Sequence, residues 1–299
     1  MKIAVTGGTG FLGRYILAEL ARQGHTCRCW RRPRSRCTGF EALESQLEWV
    51  AGKLGSPEDA ATLVEGCDAV VHAALTRHGP EFRGGEGDLI DFVEANLVGS
   101  LQLMDTARRA DVDRFVFISS CAVHEEILDD RPLDETHPLW STNHYGAHKA
   151  ALEKFVHSFG KGMDFPICAL RPTGIYGLTR PVQRSKWFSL IQSVVRGENV
   201  CCQRGGKEVH AADVARAVSL LLQADGVAGQ AYNCCDSYIS EYDVATYSKE
   251  FTGSSSVIEG KQTVPKHEIV TDKITALGME FGGRPLLEAT IGELVEHMR

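Results

Sequence analysis

Residues 6–13 read Thr-Gly-Gly-Thr-Gly-Phe-Leu-Gly, directly after the apolar run Ile3-Ala4-Val5 and directly before an amphipathic stretch at residues 11–23. A strand that turns through glycines straight into a helix leaves few folds open. The start of a helix offers N–H groups with no internal partner and the positive end of the helix dipole. A glycine-rich turn in that position cradles phosphate, and at the head of an alternating α/β chain it marks a dinucleotide site. Gly7 permits the tight turn, Gly10 lets backbone approach a pyrophosphate, and Gly13 allows the helix to pack closely on the strand. Thr9, Phe11 and Leu12 belong to the same turn and helix start and are further candidate contacts.

The remaining pattern agrees with that beginning. Strand-like runs at residues 2–6, 26–31, 47–50, 69–73, 114–119 and 166–170 alternate with helix-like stretches at 11–23, 57–65, 89–110 and 144–159. Such alternation predicts an α/β chain: a doubly wound parallel sheet of the Rossmann type. After Leu170 the regularity breaks. Residues 171–186 carry Pro172, Gly174, Gly177 and Pro181 and read as a long irregular loop, followed by a helix at 187–196, a basic glycine-rich turn and a helix at 211–223. From Tyr238 onward the chain reads as small and mostly α-helical. The expected division is a dinucleotide-binding domain at residues 1–171, to which the chain returns at about 208–236, and a substrate-binding domain at 172–207 and 237–299. Loops after Thr6, Arg31, Ala73 and Ser119 should converge, because such sheets bind ligands at the carboxyl ends of their strands.

Charge and cysteine usage exclude several classes. With 32 basic against 39 acidic side chains the net charge is −7, which disfavours nucleic acid as a partner. The chain has 10 cysteines, several inside apolar runs such as Ile167-Cys168-Ala169-Leu170. A strand already at Ile3 leaves no room for a leader ahead of the fold, so a cytoplasmic location with cysteines as small reduced hydrophobes is expected. Neither Cys27/Cys29 nor Cys201/Cys202 has C-x-x-C spacing, so no metal site is expected. No stretch of 18 apolar residues offers a membrane span.

The second strand ends Cys29-Trp30-Arg31-Arg32. An acidic residue there would bind the ribose 2′-hydroxyl of NAD, whereas arginine suits a 2′-phosphate through paired N–H donors. Arg31, assisted by Arg32, therefore favours NADP over NAD; Arg14 is a second candidate for the same phosphate.

Tyr145-Gly-Ala-His-Lys149 opens an amphipathic helix, and residues i and i+4 share a face. A free phenol, with a pKa of about 10, is a poor base near neutrality. A neighbouring ammonium favours the phenolate. Ser119-Ser120 at the end of the fifth strand could hydrogen-bond a substrate oxygen as charge develops there. Together these groups suit proton exchange with an alcohol while hydride passes to or from a nicotinamide. His144 and His148 flank the pair and stay outside the catalytic set.

The G-x-x-G-x-x-G spacing, the Tyr–Lys pair and the serines resemble the extended short-chain dehydrogenase/reductases, also called the NAD-dependent epimerase/dehydratase family. Further motifs extend the resemblance over essentially the whole chain: Val70-Val71-His72-Ala73-Ala74, Asn96-Leu97-Val98-Gly99-Ser100, Leu170-Arg171-Pro172-Thr173-Gly174-Ile175-Tyr176-Gly177 and His210-Ala211-Ala212-Asp213-Val214-Ala215. The resemblance implies Ser120 rather than Ser119 as the catalytic hydroxyl, 25 residues before Tyr145, with Asn96 helping to position Lys149. It implies cofactor contacts at Ala73, Ala74, Tyr145, Lys149, Pro172 and Thr173. It also implies a homodimer through residues 89–110 and 144–159. Lys53 replaces the usual adenine-contacting Asp, which leaves the backbone around Leu54 for that task.

Three departures narrow the substrate. Cys121-Ala122 stands where dehydratases of the family carry Asp-Glu, which argues against dehydration. Gly174 and Gly206 stand where nucleotide-sugar epimerases place an Asn and an Arg for the diphosphate. The reading nearest the family is a nucleotide-sugar epimerase or dehydrogenase; the alternative is an NADP-dependent carbonyl reductase acting on a non-nucleotide substrate. A catalytically inactive dinucleotide-binding regulator is disfavoured because the Tyr–Lys pair is intact.

Overall fold

The computed structural model describes residues 1–33, 35–79 and 84–298. In chain order its strands are β1 (Lys2–Thr6), β2 (Thr26–Arg31), β3 (Leu47–Ala51), β4 (Ala69–His72), β5 (Arg114–Ile118), β6 (Ile167–Pro172), β7 (Gly174–Tyr176), β8 (Val200–Cys202), β9 (Gly205–His210), β10 (Ala231–Cys234), β11 (Ser237–Ser240) and β12 (Ile258–Gly260). The helices are α1 (Phe11–Arg22), α2 (Pro57–Val64), α3 (Leu89–Val93), α4 (Gly99–Arg109), α5 (His144–Gly162), α6 (Phe188–Val195), α7 (Ala211–Gln223), α8 (Glu241–Thr252), α9 (Asp272–Thr275) and α10 (Gly283–Glu296). A π-helical turn, Glu94–Val98, joins α3 to α4.

Two compact units emerge: Met1–Pro172 with Val214–Cys234 and Val270–Met279, and Thr173–Asp213 with Cys235–Ile269 and Glu280–Arg299. The first holds a seven-stranded, all-parallel sheet in the order β10-β6-β5-β4-β1-β2-β3. The chain winds outward from β1 through β2 to β3, then crosses to β4 on the other side. The strand order therefore reverses between β1 and β4, where Thr6 lies beside His72. Loops leaving that switch point frame the ligand crevice of doubly wound sheets.

Helices on both faces bury the central strands, so their residues can be continuously apolar, while edge strand β3 stays partly exposed. Ile3, Ala4 and Val5 have no exposed surface, and Phe115 and Phe117 in β5 are 0% and 1% exposed. Ala4, Phe115 and Phe117 pack with Leu103, Met104, Leu152 and Val156 from α4 and α5. Each such side chain contributes about 1.5–3 kcal/mol on burial. Cys27 and Cys29 fill inward positions of β2, where burial pushes the Cys27 thiol up to about 12.

The second unit departs from expectation. Residues 171–186, read as an irregular loop, contain β7, and the glycine-rich turn before residue 211 contains β8 and β9. There β9 pairs in parallel with β7 and antiparallel with β11, while β8 pairs with β12. Strands this short, with Gly174, Gly205 and Gly206 inside them, carry no alternating signal; their partners rather than their own propensity make them strands. Helices α6, α8 and α10 complete this mostly helical unit around Phe188, Ile191, Val244, Leu287 and Ile291.

Candidate active site

In the first unit the turn after β1 is shaped by what its glycines omit. Gly7 has φ +74°, and a Cβ there would stand 2.8 Å from the Ala73 carbonyl. A Cβ on Gly13 would overlap the Gly7 carbonyl, which holds the Gly10 N–H at 2.9 Å. Gly10 caps α1 without a side chain, and no acidic residue occupies the first turn. The N–H groups of Phe11, Leu12 and Gly13 therefore begin the helix with their positive end uncompensated. Thr9 is half-exposed and Gly10 exposed at the tip. This open, side-chain-free helix start fits the pyrophosphate of a dinucleotide.

A directional hydrogen-bond chain braces the switch point behind that turn. The Ala73 and Ala74 N–H groups both donate to Thr6 Oγ1, each at 3.1 Å. Thr6 Oγ1 lies 2.7 Å from His72 Nδ1, His72 Nε2 lies 2.8 Å from Ser100 Oγ, and Ser100 donates to the Asn96 carbonyl at 2.5 Å. With the Ser100 proton committed to Asn96, His72 must donate from Nε2 and accept at Nδ1, so the ring is neutral. Burial, then the Lys149 charge, push its pKa down to about 3. Candidates Ala73 and Ala74 thus sit half-buried where β1 and β4 meet.

At the end of β2, Arg31 and Arg32 are exposed. Arg14 faces the following loop: its guanidinium donates to the Thr38 and Arg36 carbonyls at 2.9 and 2.8 Å and covers the Phe40 ring at 4.3 Å. It shapes that loop. Leu54 is half-buried beneath the start of α4, where a Cβ on Gly99 would meet the Gly55 nitrogen at 2.8 Å. That close approach is the physical reason for glycine after the Asn96 turn.

The acid/base candidates gather at the end of β5. Ser120 is half-buried, and its Oγ accepts the Ala122 N–H at 3.1 Å, capping the short turn Cys121–Val123. Asn143 caps α5 by accepting from Gly146 at 2.8 Å. Gly146 lies so near the Ala122 carbonyl that no Cβ would fit, which seats the first turn of α5 on the Ser120 turn. Tyr145, on that first turn, is half-exposed, with its ring 5.5 Å from the His148 ring. Lys149 is 5% exposed; its ammonium donates to the Ile118 carbonyl at 2.7 Å and sits 4.6 Å from the Phe117 ring centre. Burial pushes Lys149 down to about 7, opposed by the charge of Glu153.

The structure thus brings Ser120, Tyr145 and Lys149 to one strand end. Asn96 is buried on the π-helical turn, and its amide holds Thr76, accepting from the N–H at 2.7 Å and donating to the carbonyl at 2.9 Å, and also reaches the Phe92 carbonyl. His148 is kept neutral by burial, its pKa pushed down to about 3, and packs edge-on against Phe92. Pro172 closes β6 in the core. Thr173 opens the second unit, hydrogen-bonded to the Cys235 thiol.

Sequence reasoning passed over one buried network beside these residues. Ser119, 2% exposed, donates to Glu153 at 2.5 Å. Arg171 Nε donates to both Glu153 oxygens at 3.0 Å and Nη2 to one of them at 2.6 Å, while Nη1 lies 3.2 Å from His124 Nε2. The available signal was spacing: Tyr145, Lys149 and Glu153 recur at i, i+4 and i+8, one stripe of α5.

Among protein families, residues 3–235 match the NAD dependent epimerase/dehydratase family. The chain is 27% identical over 269 residues to the dTDP-D-glucose 4,6-dehydratase of Mus musculus, covering 83% of this chain and 71% of that protein. It is 32% identical over 182 residues to the 4-hydroxy-2-methyl-3-oxo-4-farnesyl-3,4-dihydroquinoline-1-oxide ketoreductase of Stigmatella aurantiaca, covering 59% of this chain and 51%, about half, of that protein. Among solved structures, UDP-glucose 4-epimerase from Thermotoga maritima with UDP-glucose superposes with a TM-score of 0.80 at 22% identity, covering 100% of this chain and 99% of that one. At that identity the likeness concerns the fold.

Proposed function

This chain belongs to the NAD-dependent epimerase/dehydratase family, and on that premise we propose that it transfers hydride at a secondary alcohol or ketone carbon, with Tyr145 as acid/base. The observation that carries this reading is the buried Lys149 ammonium bonded to the Ile118 carbonyl. That bond ties the first turns of α5, with Tyr145, to the strand end that presents Ser120.

A bound nicotinamide would accept or return the hydride. Tyr145 takes the proton of the substrate hydroxyl in oxidation and returns it in reduction. Lys149 favours the phenolate by direct charge attraction, and an anion brought near it raises its own pKa again, holding it as ammonium. Ser120, already oriented by its turn, donates to the substrate oxygen as negative charge grows there. The helix start at residues 11–13 would hold the diphosphate of the cofactor. The side chains at Cys121 and Ala122 offer no carboxylate for dehydration, and the Cys121 thiol is turned to the Arg171 carbonyl at 3.1 Å.

Family members bind NAD(P), and NADP is the preferred form in this reading because Arg31 and Arg32 stand exposed at the end of β2. Arg31→Asp is expected to shift the ratio of kcat/KM for NADPH over NADH by about tenfold to a hundredfold towards NADH, the worth of a charged hydrogen bond. An unchanged ratio in steady-state assays would remove the 2′-phosphate argument.

Nucleotide sugars are the substrate class nearest the family; ketones without a nucleotide are the second. Gly174 and Gly206, in place of the diphosphate-binding Asn and Arg, favour the second. Bound ligand raises stability by mass action. Thermal unfolding with NADP present should therefore respond to one class and not the other. A melting point indifferent to both classes would count against either substrate.

A further inference from the structure

Within the first unit, four buried side chains form one chain of hydrogen bonds that returns to the segment it starts from. Thr6, His72, Asn96 and Ser100 are 0%, 1%, 1% and 2% exposed. At one end the Ala73 and Ala74 N–H groups both donate to Thr6 Oγ1. At the other, the Asn96 amide accepts the Thr76 N–H and donates to the Thr76 carbonyl. Between these ends His72 lies 2.7 Å from Thr6 Oγ1 and 2.8 Å from Ser100 Oγ, and Ser100 donates to the Asn96 carbonyl. Residues 73–76 are thus gripped on both sides of Leu75 by a single closed circuit.

The circuit runs one way. Ser100 gives its only proton to Asn96, so its oxygen takes the His72 Nε2 proton, and the bare Nδ1 takes the proton of the Thr6 hydroxyl. Both lone pairs of Thr6 Oγ1 are then filled by Ala73 and Ala74. The Phe117 and Phe115 rings, with centres 5.7 and 6.3 Å from that of the imidazole, pack against it. At such burial water does not replace a missing link, and a broken circuit leaves polar groups unpaired. Residues 73–76 are themselves half-exposed. The Ala73 carbonyl lies 2.8 Å from the place a Cβ on Gly7 would take, so this strip backs directly onto the phosphate turn. Strip and turn leave the adjacent strands β4 and β1, where the strand order reverses. They are two walls of the crevice that takes the dinucleotide in such sheets.

We propose that His72 is a positioning residue for the cofactor: as the connector between Thr6 and Ser100 it holds residues 73–76 in a fixed shape, so that the dinucleotide meets a wall already formed. Ordering a loop at the moment of binding costs affinity, and a preformed loop avoids that cost. His72 acts through residues 73–76. The inference rests on the dinucleotide reading and adds to it a residue with almost no exposed surface.

Binding of NADPH to the full-length protein, followed by quenching of protein fluorescence, is the test. Thr6→Val keeps the side-chain shape and removes the hydroxyl; His72→Phe keeps a ring and removes both nitrogens. Each is expected to raise the Kd for NADPH about tenfold, the scale of one buried N–H losing its acceptor. Thr6→Ser keeps the hydroxyl and should stay within about twofold of wild type. The Thr6→Val/His72→Phe double variant should bind no worse than either single variant, because both break one circuit. Variants that melt lower yet bind NADPH as wild type does would make the circuit a part of the core alone and overturn the proposal. So would equal losses in Thr6→Val and Thr6→Ser, or losses that add in the double variant. Where a variant does not fold, nitrogen NMR of the wild-type protein with labelled histidine decides: His72 is expected to carry its proton on Nε2, and a proton on Nδ1 overturns the proposal. Wild-type protein that binds neither NADPH nor NADH removes the dinucleotide reading and this inference with it. Unchanged binding across the variants removes this inference alone.

Discussion

Tyr145→Phe is expected to lower kcat about a thousandfold while leaving NADPH affinity within about twofold of wild type, the usual scale for losing one general acid/base. The change removes a single hydroxyl. The ring keeps its contact with His148, 5.5 Å away, and α5 keeps its Asn143 cap. Lys149 keeps its 2.7 Å bond to the Ile118 carbonyl, so the helix stays docked on the end of β5. What disappears is the group that exchanges a proton with substrate, and only in the transition state does that loss count in full. Steady-state kinetics give kcat, and quenching of protein fluorescence by NADPH gives affinity. Equal losses in both would assign the hydroxyl to cofactor binding. Unchanged turnover would dissolve the proposed chemistry.

The parts of this fold that could be read from the residues are those where local chemistry and global topology coincide. The central strands are buried on both faces, so Ile3-Ala4-Val5 and Phe115-Val116-Phe117 appear as continuous apolar runs at the centres of β1 and β5. The turn at Gly7–Gly13 is legible because Gly7 and Gly13 answer backbone collisions that any other residue would cause. Tyr145 and Lys149 are legible because four residues make one helical turn. Illegibility begins where a residue's role depends on a distant partner. Strand β9 has Gly205 and Gly206 at its head and exists through β7 and β11 on either side. The bond of the Asn96 amide to Thr76, 20 residues back, is one that no helical spacing announces. Glu153 reads as an ordinary helix-surface acid until Arg171 and Ser119 are brought to it by β6 and β5.

That last pairing supports the prediction with the largest effect on stability. Arg171→Met is expected to destabilise the protein by about 3–5 kcal/mol, because removing one partner leaves the other charge buried and uncompensated. The Arg171 and Glu153 side chains are 3% and 4% exposed, so water does not replace the lost bonds. His124 suffers as well. Its Nδ1 faces the Pro138 carbonyl at 3.2 Å, so it donates there and its Nε2 must accept from Arg171. Burial, followed by the Arg171 charge, holds this ring neutral by pushing its pKa down to about 4. Glu153→Gln with Arg171→Met removes both charges and should recover a large part of the loss, since apolar or neutral replacement of a whole buried pair is often tolerated. Urea unfolding of the single and double variants measures the coupling. A single variant within about 1 kcal/mol of wild type would mean that the pair is solvated in solution and the network does not hold the core. Because Glu153 also grips Ser119, next to Ser120, loss of Arg171 should loosen the strand end on which the proposed proton transfer depends.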